Sequence, residues 1–154
     1  MNKDLICAIA NPPGVGAIGI IRLSGIGALD LAKKIASKPT RYREARFVSL
    51  KDEDQLLDTG LLISFKGPNS FTGEDLIEFQ GHGNPVIQRR LINYFCRHGA
   101  RLANPGEFSE RAYLNNKIDL AQAEAIADLI TSKSEAAATA ALNSLRGDFS
   151  DQVN

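Results

Sequence analysis

The chain is expected to fold as an α+β domain, with a mainly antiparallel sheet and flanking helices, that runs on into a helical segment. Three observations predict this. Several strand-like runs follow one another early with no helix between them, which does not suit a regular βαβ array. The 154 residues are 44% hydrophobic, enough to bury a real core. At Asp119 the residue pattern switches, and a polar helix-and-turn run, Asn104 to Asn116, gives way to an Ala-rich amphipathic stretch.

The elements follow in order. Leu5 to Ala10 is a short apolar run closed by Asn11-Pro12-Pro13-Gly14, a strong breaker, and reads as a buried strand. Ile18 to Ser24 is β-branched, ends at Gly25 and reads as a second strand. Ala28 to Ser37 carries Leu29, Ala32, Ile35 and Ala36 at helical spacing, with Lys33 and Lys34 outward. Arg46 to Lys51 and Leu57 to Lys66 look like two strands around a turn at Asp52-Glu53-Asp54, and Gly67 to Ser70 is a loop. Asp75 to Gln80 reads as a strand of imperfect alternation, because Leu76 and Ile77 are adjacent. Pro85 sits at the first-turn position that proline tolerates, and Val86, Leu91, Ile92 and Phe95 give the following helix its apolar face. Arg101 to Ala103 is a short strand; Pro105-Gly106 opens a helix with Phe108, Ala112 and Tyr113 inward. From Asp119, Leu120, Ala123, Ala127 and Ile130 form one stripe, continued by Ala137, Ala141 and Leu145 as far as Gly147, a C-terminal stop. A single helix of that length with so mild a stripe needs a helical partner. No later segment supplies one, so the chain is expected to stop inside a second, helical domain.

Charge narrows the function. Lys+Arg and Asp+Glu both total 18, giving zero formal net charge, which argues against a strongly basic nucleic-acid platform. The clusters Arg41, Arg43, Arg46 and Arg89, Arg90, Arg97 read as solvated surface. Cys7 and Cys96 lie in apolar stretches without CxxC spacing and read as buried free thiols in a reducing cytosol. No signal peptide and no run near the roughly 18 apolar residues of a membrane span is present, so a soluble, cytoplasmic protein is expected.

Three motifs bear on chemistry. Gly14-Val-Gly16-Ala-Ile-Gly19 satisfies G-x-G-x-x-G, but a dinucleotide site needs a helix to open there, and Ile-Ile-Arg-Leu reads as strand. A glycine-rich turn between strands is the better reading. Asn116-Lys117-Ile118-Asp119 satisfies the guanine-recognition pattern N-K-x-D, yet no G-x-x-x-x-G-K-[ST] phosphate loop exists in these residues. The segment from Phe71 to Gly83 holds Glu74, Asp75, Glu78 and His82 near glycines. It lacks the further ligands a metal needs. Glu78, alternating with Ile77 and Phe79, is suited to accept two hydrogen bonds from the N–H/NH2 edge of a flat heterocycle.

At these residues the chain resembles the N-terminal region of the MnmE (TrmE) family of tRNA-modification GTPases. The resemblance rests on Asn11-Pro-Pro-Gly14, Gly19-Ile-Ile-Arg-Leu-Ser-Gly25, Gly67-Pro-Asn-Ser-Phe-Thr-Gly-Glu-Asp75, Gln80-Gly-His-Gly83, Pro105-Gly-Glu-Phe-Ser-Glu-Arg-Ala112 and the run Asn116 to Ile130. It implies a fold like the tetrahydrofolate-binding domains of one-carbon enzymes over residues 1–117, then the start of a central helical domain over 118–154. It implies a homodimer and a pocket for 5-formyl- or 5,10-methylene-tetrahydrofolate, with contacts falling on Arg22, Glu78 and Lys117. It further implies that GTP, magnesium and potassium belong to a GTPase domain absent from these residues, and that this fragment is inactive alone. The partners it implies are the flavin-dependent MnmG and tRNA, whose wobble uridine the whole enzyme modifies. Three departures stand out: Val15 and Ala17 replace Arg and Gly in the glycine loop, Asn84 replaces Gly, and Asn116 replaces Asp beside Lys117. Asn84 is read as tolerating the positive φ of a glycine there.

Two other functions fit the same residues. A free-standing folate-dependent one-carbon transferase would need an acid–base group, for which His82 and Glu74 are the candidates. A module that mainly dimerises and docks tRNA or a partner is the other.

Overall fold

The computed structural model describes residues 3–147, which form two compact units, one ending at Pro105 and one starting at Gly106. The first unit is built on a six-stranded sheet of order β3-β4-β5-β2-β1-β6. Its strands are β1 (Ile6–Ile9), β2 (Gly16–Ser24), β3 (Arg46–Asp52), β4 (Gln55–Phe65), β5 (Leu76–Gly83) and β6 (Arg101–Leu102). All neighbours are antiparallel except β1 and β6. Helices α1 (Ala28–Ala36) and α2 (Pro85–Arg97) complete the unit.

Successive side chains of a strand point to opposite faces. Cys7, Ile21, Leu23, Leu62, Ile77 and Phe79 share one face and pack with Leu31 and Ala32 of α1 and Leu91 and Phe95 of α2 into the core. Arg22, paired with Ala8 and Glu78 across the sheet, belongs to the other face.

Several local expectations change. The glycine segment is not simply a turn: Gly14, at φ 117°, makes the turn, while Gly16 and Gly19 lie inside β2. β5 runs past the expected end at Gln80 and takes in His82, because Gly83 and Gly16 allow the strands to meet closely there; a Cβ on Gly83 would stand 2.4 Å from Gly16 O. Asn84 is extended (φ −88°) and caps α2, accepting from the N–H groups of Val86 and Ile87. Val86 is half exposed, and the buried phase of α2 takes in Gln88 and Tyr94 instead. Cys7 is buried as expected, but Cys96 falls outside that phase and is exposed.

The second unit contains α3 (Glu107–Leu114), α4 (Leu120–Thr131) and α5 (Glu135–Leu145). In α3 the buried residues are Glu107, Arg111 and Ala112, while Tyr113 is exposed. Glu107 and Arg111 stand one turn apart and pair at 3.3 Å, so their charges are buried together. The expected single long helix is two. Ser132 turns its hydroxyl to Leu129 O (2.9 Å), and Ser134 accepts from Ala137 N–H (3.1 Å) as a new N-cap. Serine competes for backbone partners in this way and ends helices. α5 therefore packs on α4 and supplies the helical partner that a single long helix would have lacked. Gln122 Nε2 donates to Leu145 O at 2.9 Å, and Ala125 and Ala141 are the buried residues of the pair, not Leu120 or Ile130.

Candidate functional site

Strand pairing assembles the central feature. Arg22 of β2 and Glu78 of β5 lie directly opposite each other although fifty-six positions apart in the chain. Opposite charges facing across an antiparallel pair attract at close range. Arg22 Nε and Nη2 both donate to Glu78 Oε2, at 3.3 and 3.2 Å. Gln80, two residues along and therefore on the same face, donates from Nε2 to Glu78 Oε1 at 3.1 Å. The Arg22 guanidinium carbon lies 5.9 Å from the centroid of Phe71, at the limit of a cation–π contact. The side chains are 32% exposed for Arg22 and 15% for Glu78, so the pair is shielded but reachable.

This arrangement leaves hydrogen-bonding capacity on both partners. A carboxylate offers about four lone-pair sites, and three donors from Arg22 and Gln80 use part of that set. Among the described residues nothing accepts from Arg22 Nη1. A donor and an acceptor thus stand side by side, fixed by two strands.

The loop before β5 closes one end of this face. Ser24 and Thr72 are fully buried with hydroxyls 2.7 Å apart, and Ser24 Oγ donates to Glu74 Oε1 at 2.8 Å. Glu74 N–H donates to Thr72 Oγ1, and Ser70 Oγ donates to Glu74 O. Glu74 is thus held as a loop-fixing acceptor. His82 has a different setting. Its Nδ1 lies 2.6 Å from Asp58 Oδ1 and its N–H donates to Asp58 Oδ2 at 2.9 Å. The β4–β5 ladder ends at Leu61 and Gln80, so the Asp58 carboxylate replaces the next strand partner. The Asp58 side chain is 3% exposed and that of His82 62%. An imidazole oriented at Nδ1 by a buried carboxylate presents Nε2 outward.

Lys117 belongs to the second unit. It follows Asn116, whose φ of 59° is the left-handed turn that asparagine tolerates, and its N–H donates to Ala112 O at 2.8 Å. It lines an open cavity of about 540 Å3 with Tyr113, Asn116, Asp119 and Gln122. Of the three expected ligand contacts, the structure brings Arg22 and Glu78 together and sets Lys117 on this turn.

The two other motifs have structural roles. The acid of N-K-x-D, Asp119, caps α4: its Oδ1 accepts from Gln122 N–H while Gln122 Oε1 accepts from Asp119 N–H. The glycine motif is followed by strand and offers no helix N-terminus. Among the described residues no three His, Cys, Asp or Glu side chains cluster as metal ligands. None of the helices described is long and apolar enough to cross a membrane. Sequence reasoning missed Gln80 and Asp58. Gln80 was detectable as the residue two beyond Glu78 on one strand face, and Asp58 as a lone acid in an otherwise apolar strand.

These features define a mixed-sheet α+β domain with a fixed, partly shielded Arg–Glu pair on the face away from its helices. The family model for the GTP-binding protein TrmE N-terminus matches residues 5–117, and the chain belongs to that family. It is 53% identical over 152 residues to the tRNA modification GTPase MnmE of Francisella tularensis subsp. holarctica (strain FTNF002-00 / FTA). Against the MnmE of Francisella philomiragia subsp. philomiragia it is 51% identical over the same length, and against that of Francisella tularensis subsp. novicida (strain U112) 52%. Each alignment covers 99% of this chain and 34% of the relative, so the chain spans about a third of their length.

Proposed function

We propose that this chain is the reduced-folate-binding and dimerisation part of a tRNA-modification GTPase that acts on the wobble uridine. The observation that carries the reading is the Arg22–Glu78 pair with Gln80. Glu78 has acceptor capacity for the N–H/NH2 edge of a pterin, and Arg22 Nη1 has donors for a ring carbonyl or a glutamate-tail carboxylate. Lys117 is the third proposed contact. The ligand, 5-formyl- or 5,10-methylene-tetrahydrofolate, would bring a one-carbon unit. The residues named here bind and orient it. In this reading GTP hydrolysis, with magnesium and potassium, and the work with tRNA and MnmG belong to the rest of such a protein in the cytoplasm.

The test is calorimetry with 5-formyltetrahydrofolate. The chain is expected to bind it, and Glu78→Ala to weaken binding at least about tenfold, the loss of one or two charge-assisted hydrogen bonds. Absence of binding at millimolar ligand overturns the proposal; wild-type affinity in Glu78→Ala removes Glu78 from it. The oriented His82–Asp58 pair favours the transferase reading as the second choice. Turnover of 5,10-methylene-tetrahydrofolate by the isolated chain, lost in His82→Gln, would put that reading first.

A further inference from the structure

The Asn11-Pro12-Pro13-Gly14 turn and Gly19 supply none of the proposed folate contacts, and both bear on one side chain of α2. A Cβ on Gly19 would stand 2.3 Å from Gln88 Nε2 and 2.8 Å from its Cδ. Glycine at 19 therefore lets the Gln88 amide lie against β2, where the residue is only 3% exposed. Asn11 Oδ1 accepts from Ile20 N–H (2.9 Å) and from Gln88 Nε2 (2.8 Å). The backbone donor fixes that Asn11 atom as oxygen, so the Gln88 atom facing it is the NH2 group, and the remaining atom is the carbonyl Oε1.

Among the described residues no protein group donates to Gln88 Oε1. A buried amide carbonyl left without a donor costs about 1–3 kcal/mol. Gln88 also lines a cavity of about 590 Å3 with Ile9, Pro12, Pro13, Ile92 and Leu102, and Arg89 stands on its wall. That volume lies within the range of small-molecule sites, which are mostly apolar with a few placed polar groups. Cys7 borders the cavity, and burial, aided by neighbouring Cys96, pushes its thiol up to about 12, so it adds no negative charge. Ala8, opposite Arg22 in the β1–β2 ladder, also borders the cavity, but Arg22, Glu78 and Gln80 do not line it. The cleft thus uses none of the proposed folate contacts and does not rest on the folate reading.

We propose that this cleft is a second ligand site, for a flat aromatic or heteroaromatic acid. Its ring would lie between the proline turn and α2, an N–H or O–H donor would meet Gln88 Oε1, and its anionic group would pair with Arg89.

Two-dimensional 1H–15N NMR of the chain with three probes tests this. Indole-3-acetate has ring, donor and anion; its 1-methyl derivative lacks the donor; indole lacks the anion. Indole-3-acetate is expected to shift the amides of Asn11, Gly14 and residues 88–92 and the Gln88 side-chain NH2. Methylation is expected to weaken binding about tenfold, the loss of one buried hydrogen bond. Arg89→Ala should weaken indole-3-acetate but not indole. Leu102→Trp, at a 60% exposed wall position, should fill the cleft and abolish binding of all three while leaving 5-formyltetrahydrofolate titrations unchanged. Equal affinity for the methylated probe, shifts confined to other residues, or undiminished binding in Leu102→Trp would each overturn the proposal.

Discussion

The Arg22–Glu78 pair can be weighed by a double-mutant cycle. Arg22→Met keeps most of the apolar stem and removes the guanidinium; Glu78→Gln keeps the shape and removes the charge. An exposed ion pair is worth about 0–1 kcal/mol, and breaking a fully buried one costs about 3–5 kcal/mol. With Arg22 32% and Glu78 15% exposed, this pair falls between those limits. Glu78 keeps one donor, Gln80, when Arg22 is lost. Arg22→Met is therefore expected to cost about 1–2 kcal/mol and Glu78→Gln about 1 kcal/mol, with a coupling near 1 kcal/mol. Urea unfolding followed by circular dichroism reads all four corners, and 1 kcal/mol corresponds to roughly 3–6 °C in Tm for a unit of this size. The same proteins titrated with 5-formyltetrahydrofolate separate stability from binding. A coupling below about 0.3 kcal/mol, the error of independent sites, would refute the reasoning: the two side chains would then be solvated neighbours and not a preorganised pair.

Gly81→Ala should lower stability by about 1–3 kcal/mol, because its Cβ would stand 2.2 Å from Asp58 Oδ2 and drive that carboxylate off His82 N–H; imidazole 15N shifts should show mixed tautomers, and an unchanged Tm and tautomer would contradict it. Ser134→Ala should cost about 1 kcal/mol through loss of the α5 cap and raise amide exchange across 135–145; unaltered exchange there would count against two separately capped helices. Cys7, normally near 9.0 and pushed up to about 12 by burial and by Cys96, should be about one ten-thousandth thiolate at pH 8. Iodoacetamide should thus label one thiol per native chain, the exposed Cys96, and two after denaturation; rapid double labelling of native protein would be inconsistent with the buried thiol.

The strands and the first two helices were legible because they rest on local signals: β-branched runs, Pro and Gly breakers, and proline at the start of α2. Register was not. Nothing between Arg22 and Glu78 states that they face each other, since that depends on pairing two strands distant in sequence. Phase was partly legible. Val86 and Tyr113 looked inward because apolarity was counted, yet α2 buries the amide of Gln88 and α3 the charges of Glu107 and Arg111. Both cases need partners that a periodicity count does not show. The break at Ser132 and Ser134 was readable in principle, but the alanine stripe on either side concealed it.

The order β3-β4-β5-β2-β1-β6 has a consequence for how the site comes into being. One ribbon, β1 and β2, supplies Arg22; the three-strand meander β3 to β5 supplies Glu78, Gln80, Asp58 and His82. Each piece closes through its own short connections, whereas the seam between β2 and β5 closes only after both exist. The Arg22–Glu78 pair thus exists only where that seam is closed, and a lesion that parts the seam separates the two side chains without touching the short-range pairing inside either piece.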